Sequence, residues 1–205
     1  MTVFPFDAAI FDVDGTLALT ATLHFDAFNA AARRQGAQMT RAWYDSRKGL
    51  DRRGLTTALA QLHLRETGRA LDTGALMAES LALTIECAAS VAVENPPVAA
   101  FARCLHGHVR LGVGSNAETP VVEAVLAGAG LAALFDAMVT VSDTGRAKPA
   151  PDIFTLAASR LGIAPDRCLV LEDSDEGLEA ARRAGMTGWD IRDPQILRRM
   201  EAFGR

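Results

Sequence analysis

The sequence predicts an α/β fold: a parallel β-sheet covered by helices on both faces, with an all-helical segment inserted after the first strand. Two patterns predict it. Short apolar runs rich in Val, Ile, Leu and Phe alternate with stretches of helical period, which is how a parallel sheet with crossover helices reads. Three of these runs end in polar or acidic clusters, and in such sheets a ligand sits beyond the carboxyl ends of the strands. Residues 1–17 and 91–205 belong to the sheet by this reading, and residues 18–90 to the inserted helices.

The first apolar run, Asp7 to Val13, is short and bounded by Gly15, which predicts a buried strand. Phe25, Phe28 and Ala32 then recur at spacings of three and four, up to a stop at Gly36. Leu55, Ala58, Leu59 and Leu62 predict a second helical stripe, and Met77, Leu81, Ile85 and Ala88 a third. Nothing of strand character lies between Thr16 and Ser90. Asn95-Pro96-Pro97 breaks that pattern and opens a helix through Phe101 and Leu105. Val109, Leu111 and Val113 alternate with their neighbours and predict a strand ending at Gly114-Ser115-Asn116, followed by a helix over Val121–Leu126 that closes in the Gly128/Gly130 region. A strand at Ala137–Val141, a helix from Pro151 to Leu161 and a strand at Cys168–Leu171 follow. A helix over Glu176–Ala184, stopped by Gly185, and a strand at Thr187–Ile191 complete the expected order.

Composition narrows the function. Of 205 residues 49% are hydrophobic and 22% charged, which suits a globular chain with a sizeable core. The net charge of −4 provides no basic field to recruit nucleic acid. No apolar run is long enough for a membrane span, and Met1-Thr2-Val3-Phe4-Pro5 lacks the basic start of a signal peptide. Cys87, Cys104 and Cys168 are scattered and in no metal-type spacing, so a reduced cytoplasm is expected. Only Lys48 and Lys148 are lysines, which makes each worth inspection.

Asp12 and Asp14, two apart at the end of the first strand, share one side if the strand stays extended, and Gly15 lets the chain turn sharply. Two adjacent carboxylates repel, so they need a cation or a shared proton. Glu172 and Asp173 end another strand, and such hard oxygen donors suit magnesium. Asp-x-Asp-Gly alone is equally a tight turn or a helix cap. Lys148, set just before Pro149, supplies the positive charge that a carboxylate cluster and a phosphate would jointly need. Ser115 can offer a hydroxyl and a nearby backbone amide to a phosphate oxygen.

Together, Asp12-Val13-Asp14-Gly15-Thr16, Ser115, Lys148-Pro149 and Glu172-Asp173 resemble the four motifs of the haloacid dehalogenase superfamily of phosphohydrolases. The resemblance covers residues 7–17 and 95–192 and implies a Rossmann-like core with a helical cap. The cap position is similar to that of the beta-phosphoglucomutase-like branch, while Gly114-Ser115-Asn116-Ala117-Glu118 and Trp189-Asp190-Ile191-Arg192 lean towards its sugar-phosphate phosphatases.

The resemblance implies an Mg2+-dependent phosphatase of a small phosphorylated metabolite, a sugar phosphate, working through an aspartyl-phosphate. The expected partner is this small phosphorylated metabolite rather than another chain, with the protein a monomer or weak dimer. Asp12 would be the nucleophile and Asp14 the acid and base. Lys148, Ser115 and Asn116 would hold the phosphoryl group. Asp12, the Asp14 backbone carbonyl, Glu172 and Asp173 would be the metal set. In the cap, His24 would lie near the site, and an arginine at Gly49-Leu50-Asp51-Arg52 would grip a remote phosphate or carboxylate; Arg52 is the candidate, but Arg47, Lys48 and Arg53 crowd the same stretch and leave open which one points inward. Asp14 distinguishes the chain from the dehalogenases and phosphonoacetaldehyde hydrolases, which lack an aspartate there; the latter use a cap lysine, and Lys48 is the only lysine of this cap. The alternatives are a beta-phosphoglucomutase-type isomerase, from which Leu19 and Thr22 lead away, and a catalytically silent binding protein, which would not need both aspartates.

Overall fold

In the computed structural model, β1 (Ala8–Phe11) is buried along its whole length. Both of its faces are covered, which is why its sequence shows no polar alternation. The structure describes residues 4–47 and 50–203; the expectations attached to Met1, Thr2, Val3, Lys48 and Gly49 lie outside the described residues. After β1 the chain forms α1 (Ala21–Arg34), α2 (Arg41–Asp45), α3 (Arg52–Thr67) and α4 (Thr73–Val91). It continues through α5 (Pro96–Leu105), β2 (Arg110–Ser115), α6 (Thr119–Gly128), β3 (Ala137–Thr140) and α7 (Val141–Thr144). Then come α8 (Asp152–Leu161), β4 (Cys168–Glu172), α9 (Asp175–Arg183), β5 (Thr187–Asp190) and α10 (Pro194–Phe203).

The strands form one parallel sheet in the order β3-β2-β1-β4-β5. β1 lies at its centre, with Ala8 opposite Arg110 of β2 on one side and Cys168 of β4 on the other. The chain builds one flank from β1 and then crosses to build the other, so the carboxyl ends of β1 and β4 border a topological switch point. Among the described residues no helix is long and apolar enough to cross a membrane.

Apolar side chains fall into separate clusters. On one sheet face Phe11, Leu111, Val113, Leu169 and Leu171 pack with Val98 and Phe101 of α5, Val121 and Val125 of α6 and Met200 of α10. On the other, Ile10 and Val170 pack with Ile153, Phe154 and Ala157 of α8 and Ala180 of α9. Gly114 of β2 allows α8 this close, since a β-carbon there would lie 2.9 Å from the Phe154 ring. A third cluster, Phe28, Ala31, Ala32, Met39, Leu55, Leu59 and Leu76, belongs to the helical segment and its connections.

Two expectations change here. The inward line of α4 is Leu76, Ser80, Thr84 and Ala88, one residue before the expected Met77, Leu81 and Ile85, which are only partly buried. The alternation expected in β2 is absent, because Gly112 and Gly114 are buried as fully as Leu111 and Val113. Three helices go beyond the sequence reading: α2 and α7, of five and four residues, and α10, after the last expected strand.

Candidate active site

Asp12 follows β1 directly, Ser115 ends β2, and Glu172 ends β4 with Asp173 after it, so three strand ends deliver these groups to one place. Lys148 reaches them from the loop before α8. Its Nζ donates to Asp12 Oδ1 at 2.6 Å and to Glu172 Oε2 at 2.8 Å. It also sits 4.7 Å from the centre of the Phe154 ring. All three of these charged side chains are buried. The Asn116 carboxamide oxygen accepts the Lys148 backbone N–H at 2.8 Å and so fixes the loop that carries the lysine.

Asp12, Glu172 and Asp173 place one oxygen each within 4.8 Å of one another. Burial pushes the Asp12 carboxyl well up, the Glu172 charge adds to this, and Lys148 opposes it. Burial and the Glu172 charge likewise push Asp173 up to about 6. Burial depresses the Lys148 ammonium, but the Asp12 and Glu172 charges outweigh it and hold the group above its ordinary value. One lysine among three carboxylates leaves an excess of negative charge, and the donors are all hard oxygens. This set fits a divalent cation such as Mg2+. Glu172 Oε1 already accepts from Ser174 Oγ at 2.7 Å and from the Ser174 backbone N–H at 3.1 Å, so Asp12 and Asp173 are the less committed donors.

Close approach is built into the backbone. Gly15 has φ +91°, and a β-carbon there would overlap the Asp173 carboxylate. Gly177 of α9 makes the same allowance for the Glu172 side chain.

The Asp14 carboxylate takes no part in the three-oxygen group. Its Oδ1 receives the Thr20 hydroxyl at 2.7 Å and lies 2.6 Å from His24 Nε2. Burial raises the Asp14 carboxyl, but the His24 charge and both hydrogen bonds prevail and hold it below its ordinary value. Burial lowers the His24 imidazole, and the Asp14 charge and hydrogen bond more than reverse this. Thr20 stands at the N-cap of α1 without capping it, because its hydroxyl is spent on Asp14.

These residues line a cavity of about 610 Å³. Asp12, Asp14, Ser115, Asn116, Lys148, Glu172, Asp173, His24 and Arg52 all reach it, which is the full set expected from sequence. Ser115 is buried, and its hydroxyl accepts the Ala117 N–H at 3.0 Å. Arg52 instead meets an unexpected partner, Glu118. Thr20, Tyr44, Glu118 and Arg192 also line the cavity; the sequence assigns a site role to none of them, although Glu118 and Arg192 end the two segments that lean towards sugar-phosphate phosphatases. Burial and the Asp14 charge push the Tyr44 phenol up to about 12. Thr20 and Glu118, each just before a helix, look in sequence like ordinary helix-start residues.

This arrangement of strand ends, buried lysine and carboxylates defines a class, and the chain belongs to the haloacid dehalogenase-like hydrolase family, whose family model matches residues 6–185. Fructose-1-phosphate phosphatase YqaB of Escherichia coli (strain K12) is 35% identical over 184 residues, covering 89% of this chain and 95% of that protein. The structure of a CbbY mutant from Rhodobacter sphaeroides in complex with xylulose-(1,5)bisphosphate superposes with a TM-score of 0.77 at 27% identity, over 89% of this chain and 84% of that one. Beta-phosphoglucomutase from Clostridium difficile shares the fold, with a TM-score of 0.78 at 21% identity, over 94% of this chain and 87% of that one.

Proposed function

We propose that this protein is an Mg2+-dependent phosphatase that hydrolyses small sugar phosphates through an aspartyl-phosphate on Asp12. The observation that carries the reading is the buried Lys148 held between Asp12 and Glu172, with Asp173 beside them. The likeness to fructose-1-phosphate phosphatase supports the substrate class.

A carboxylate oxygen of Asp12 attacks phosphorus while the ester P–O bond breaks, and the proton of the Asp14–His24 pair, resting on His24, passes through Asp14 to the leaving alcohol. Asp14 then takes a proton from water, which attacks the same phosphorus; the acyl-phosphate O–P bond breaks, freeing inorganic phosphate and restoring Asp12. Lys148, Ser115 and the free amide edge of Asn116 hold the phosphoryl oxygens. Lys148 also restrains the Asp12 charge, since its ammonium already sits on that carboxylate. Asp12, Asp173, the Asp14 backbone carbonyl and Glu172 would hold Mg2+, which when bound supplies positive charge against the phosphoryl oxygens. Thr20 and His24 fix the Asp14 carboxyl group for its two proton transfers. Residues 18–90 act as a cap that sets substrate choice, with His24 and Arg52 as its contributions to the cavity. The net charge and cysteine usage support a cytoplasmic protein with no nucleic-acid partner.

The test is phosphate release from a panel of hexose and pentose phosphates with Mg2+ and with chelator. Release that chelator removes, and that Asp12→Asn lacks, is the expected result. Equal release by wild type and Asp12→Asn would sink the reading.

A further inference from the structure

Arg52 opens α3, and its guanidinium is almost fully enclosed, with 9% of the side chain exposed. The sequence suggests a remote phosphate or carboxylate as its partner; the carboxylate it holds is the protein's own. Its Nε donates to Glu118 Oε1 at 2.9 Å and its NH2 to Oε2 at 3.4 Å. NH1 donates to the Ser80 hydroxyl at 3.1 Å, and NH2 also reaches the Thr84 hydroxyl at 3.5 Å, both from the inward line of α4. Glu118 is the N-cap residue of α6, just beyond Ser115, so the pair ties the helical segment to the sheet across the cavity that both residues line.

We propose that the Arg52–Glu118 pair makes this cavity select sugar monophosphates whose far end carries hydroxyls, and reject substrates that carry a second phosphate there. The inference rests on reading the chain as a sugar-phosphate phosphatase and adds to it which substrates are admitted. A hydroxyl can accept from the Arg52 fork and donate to Glu118 without changing the charge of the pair. A phosphate can gain Arg52 only by displacing Glu118, which leaves a carboxylate unpaired beside a dianion in a poorly solvated place. The other cations among the described lining residues do not relieve this, and the His24 imidazole is held on Asp14. Among the described lining residues eight are acidic and four are Lys or Arg. Lys148 is committed to Asp12 and Glu172, and Arg192 to Asp175 and Asp190. Arg47 donates to the Trp43 carbonyl and lies over the Trp43 ring at 4.1 Å. The same charge balance disfavours a mutase, which must hold a sugar bisphosphate by both ends.

The experiment compares kcat/KM for fructose 1-phosphate and fructose 1,6-bisphosphate in the full chain with Mg2+, for wild type, Glu118→Gln and Arg52→Gln. Wild type is expected to favour the monophosphate by roughly tenfold or more. Glu118→Gln keeps the shape of the partner and removes its charge, so the bisphosphate-to-monophosphate ratio should rise by roughly tenfold. Arg52→Gln leaves Glu118 unopposed, so the ratio should not rise. A merely structural role for the pair would scale both substrates alike in both variants. A wild type that favours the bisphosphate, or a ratio unmoved in Glu118→Gln, overturns the inference. p-Nitrophenyl phosphate serves as the control: its hydrolysis by wild type but not by Asp12→Asn shows that the phosphatase reading stands even if the ratio does not move. Its absence in wild type is the failure of that reading instead.

Discussion

His24 Nε2 lies 2.6 Å from Asp14 Oδ1, and the Thr20 hydroxyl closes on the same oxygen, so one oxygen of the proposed acid–base group is fully occupied by its neighbours. The pair favours the charged form of each member. For His24 the folded value is raised above 6.5, so its stabilisation is complete below that pH and fades as pH rises through the raised value. For Asp14 the folded value is lowered below 3.8, so its share is complete above that pH and is lost as pH falls through the lowered value. His24→Gln should therefore cost about 1–2 kcal/mol between these limits. The gap from wild type should narrow on the alkaline side. Thermal melts of both proteins in chelator from pH 5 to about 9 read this directly. A gap that stays constant across the series would mean that the pair is not ionised.

Asp12→Asn should lower phosphatase turnover by about a thousandfold or more, since an amide oxygen is a poor nucleophile and cannot form the acyl-phosphate. Acid-quenched labelling with a phosphorylated substrate should give a phosphoprotein in wild type and none in the variant. A labelled variant would place the nucleophile elsewhere.

Among the described residues Lys148 is the one cation that touches both Asp12 and Glu172, and Lys148→Met takes it away from two buried carboxylates. The expected loss is about 3–5 kcal/mol, read as the shift in urea midpoint in chelator. Activity should fall with it. Unchanged stability would mean that the carboxylates already share protons without help from the lysine.

Gly15 and Gly36 both have positive φ, but a β-carbon at Gly15 would overlap the Asp173 carboxylate, whereas nothing lies within 4 Å of one at Gly36. Gly36→Ala should cost about 1–2 kcal/mol of backbone strain and leave turnover intact. Gly15→Ala should add a loss of activity by displacing Asp173. Equal activity in the two variants would show that Asp173 can shift without consequence.

The sheet and its acidic strand ends were legible because buried strands are short, apolar and abruptly terminated. Asp12, Ser115 and Glu172 stand at those terminations, and Lys148 stands out by the scarcity of lysine. The wall opposite is harder to read. Ser80 and Thr84 are wholly buried in α4, and each satisfies its hydroxyl on its own helix, at the Met77 and Ser80 carbonyls. A search for apolar period passes over such residues and settles one position late, on Met77, Leu81 and Ile85. Glu118 ends a segment that the sequence does mark, but its role stays hidden because it depends on an arginine 66 residues away. α10 does carry Ile196, Leu197, Met200 and Phe203 at helical spacing, but it follows the last strand, where the sequence pattern leads to no further element.

The helical segment keeps its own apolar cluster, built on Phe28, Leu59 and Leu76, apart from the two that clasp the sheet. Leu23 and Ala88 of the same segment pack in a sheet cluster instead, so it is substitutions around Phe28, Leu59 and Leu76 that should combine additively with those among the strands. Under the proposed function, the helical residues other than Thr20 and His24, which hold Asp14, can drift towards new substrates while the machinery at the strand ends stays under unchanged constraint. Substrate range and chemistry are free to diversify at different rates.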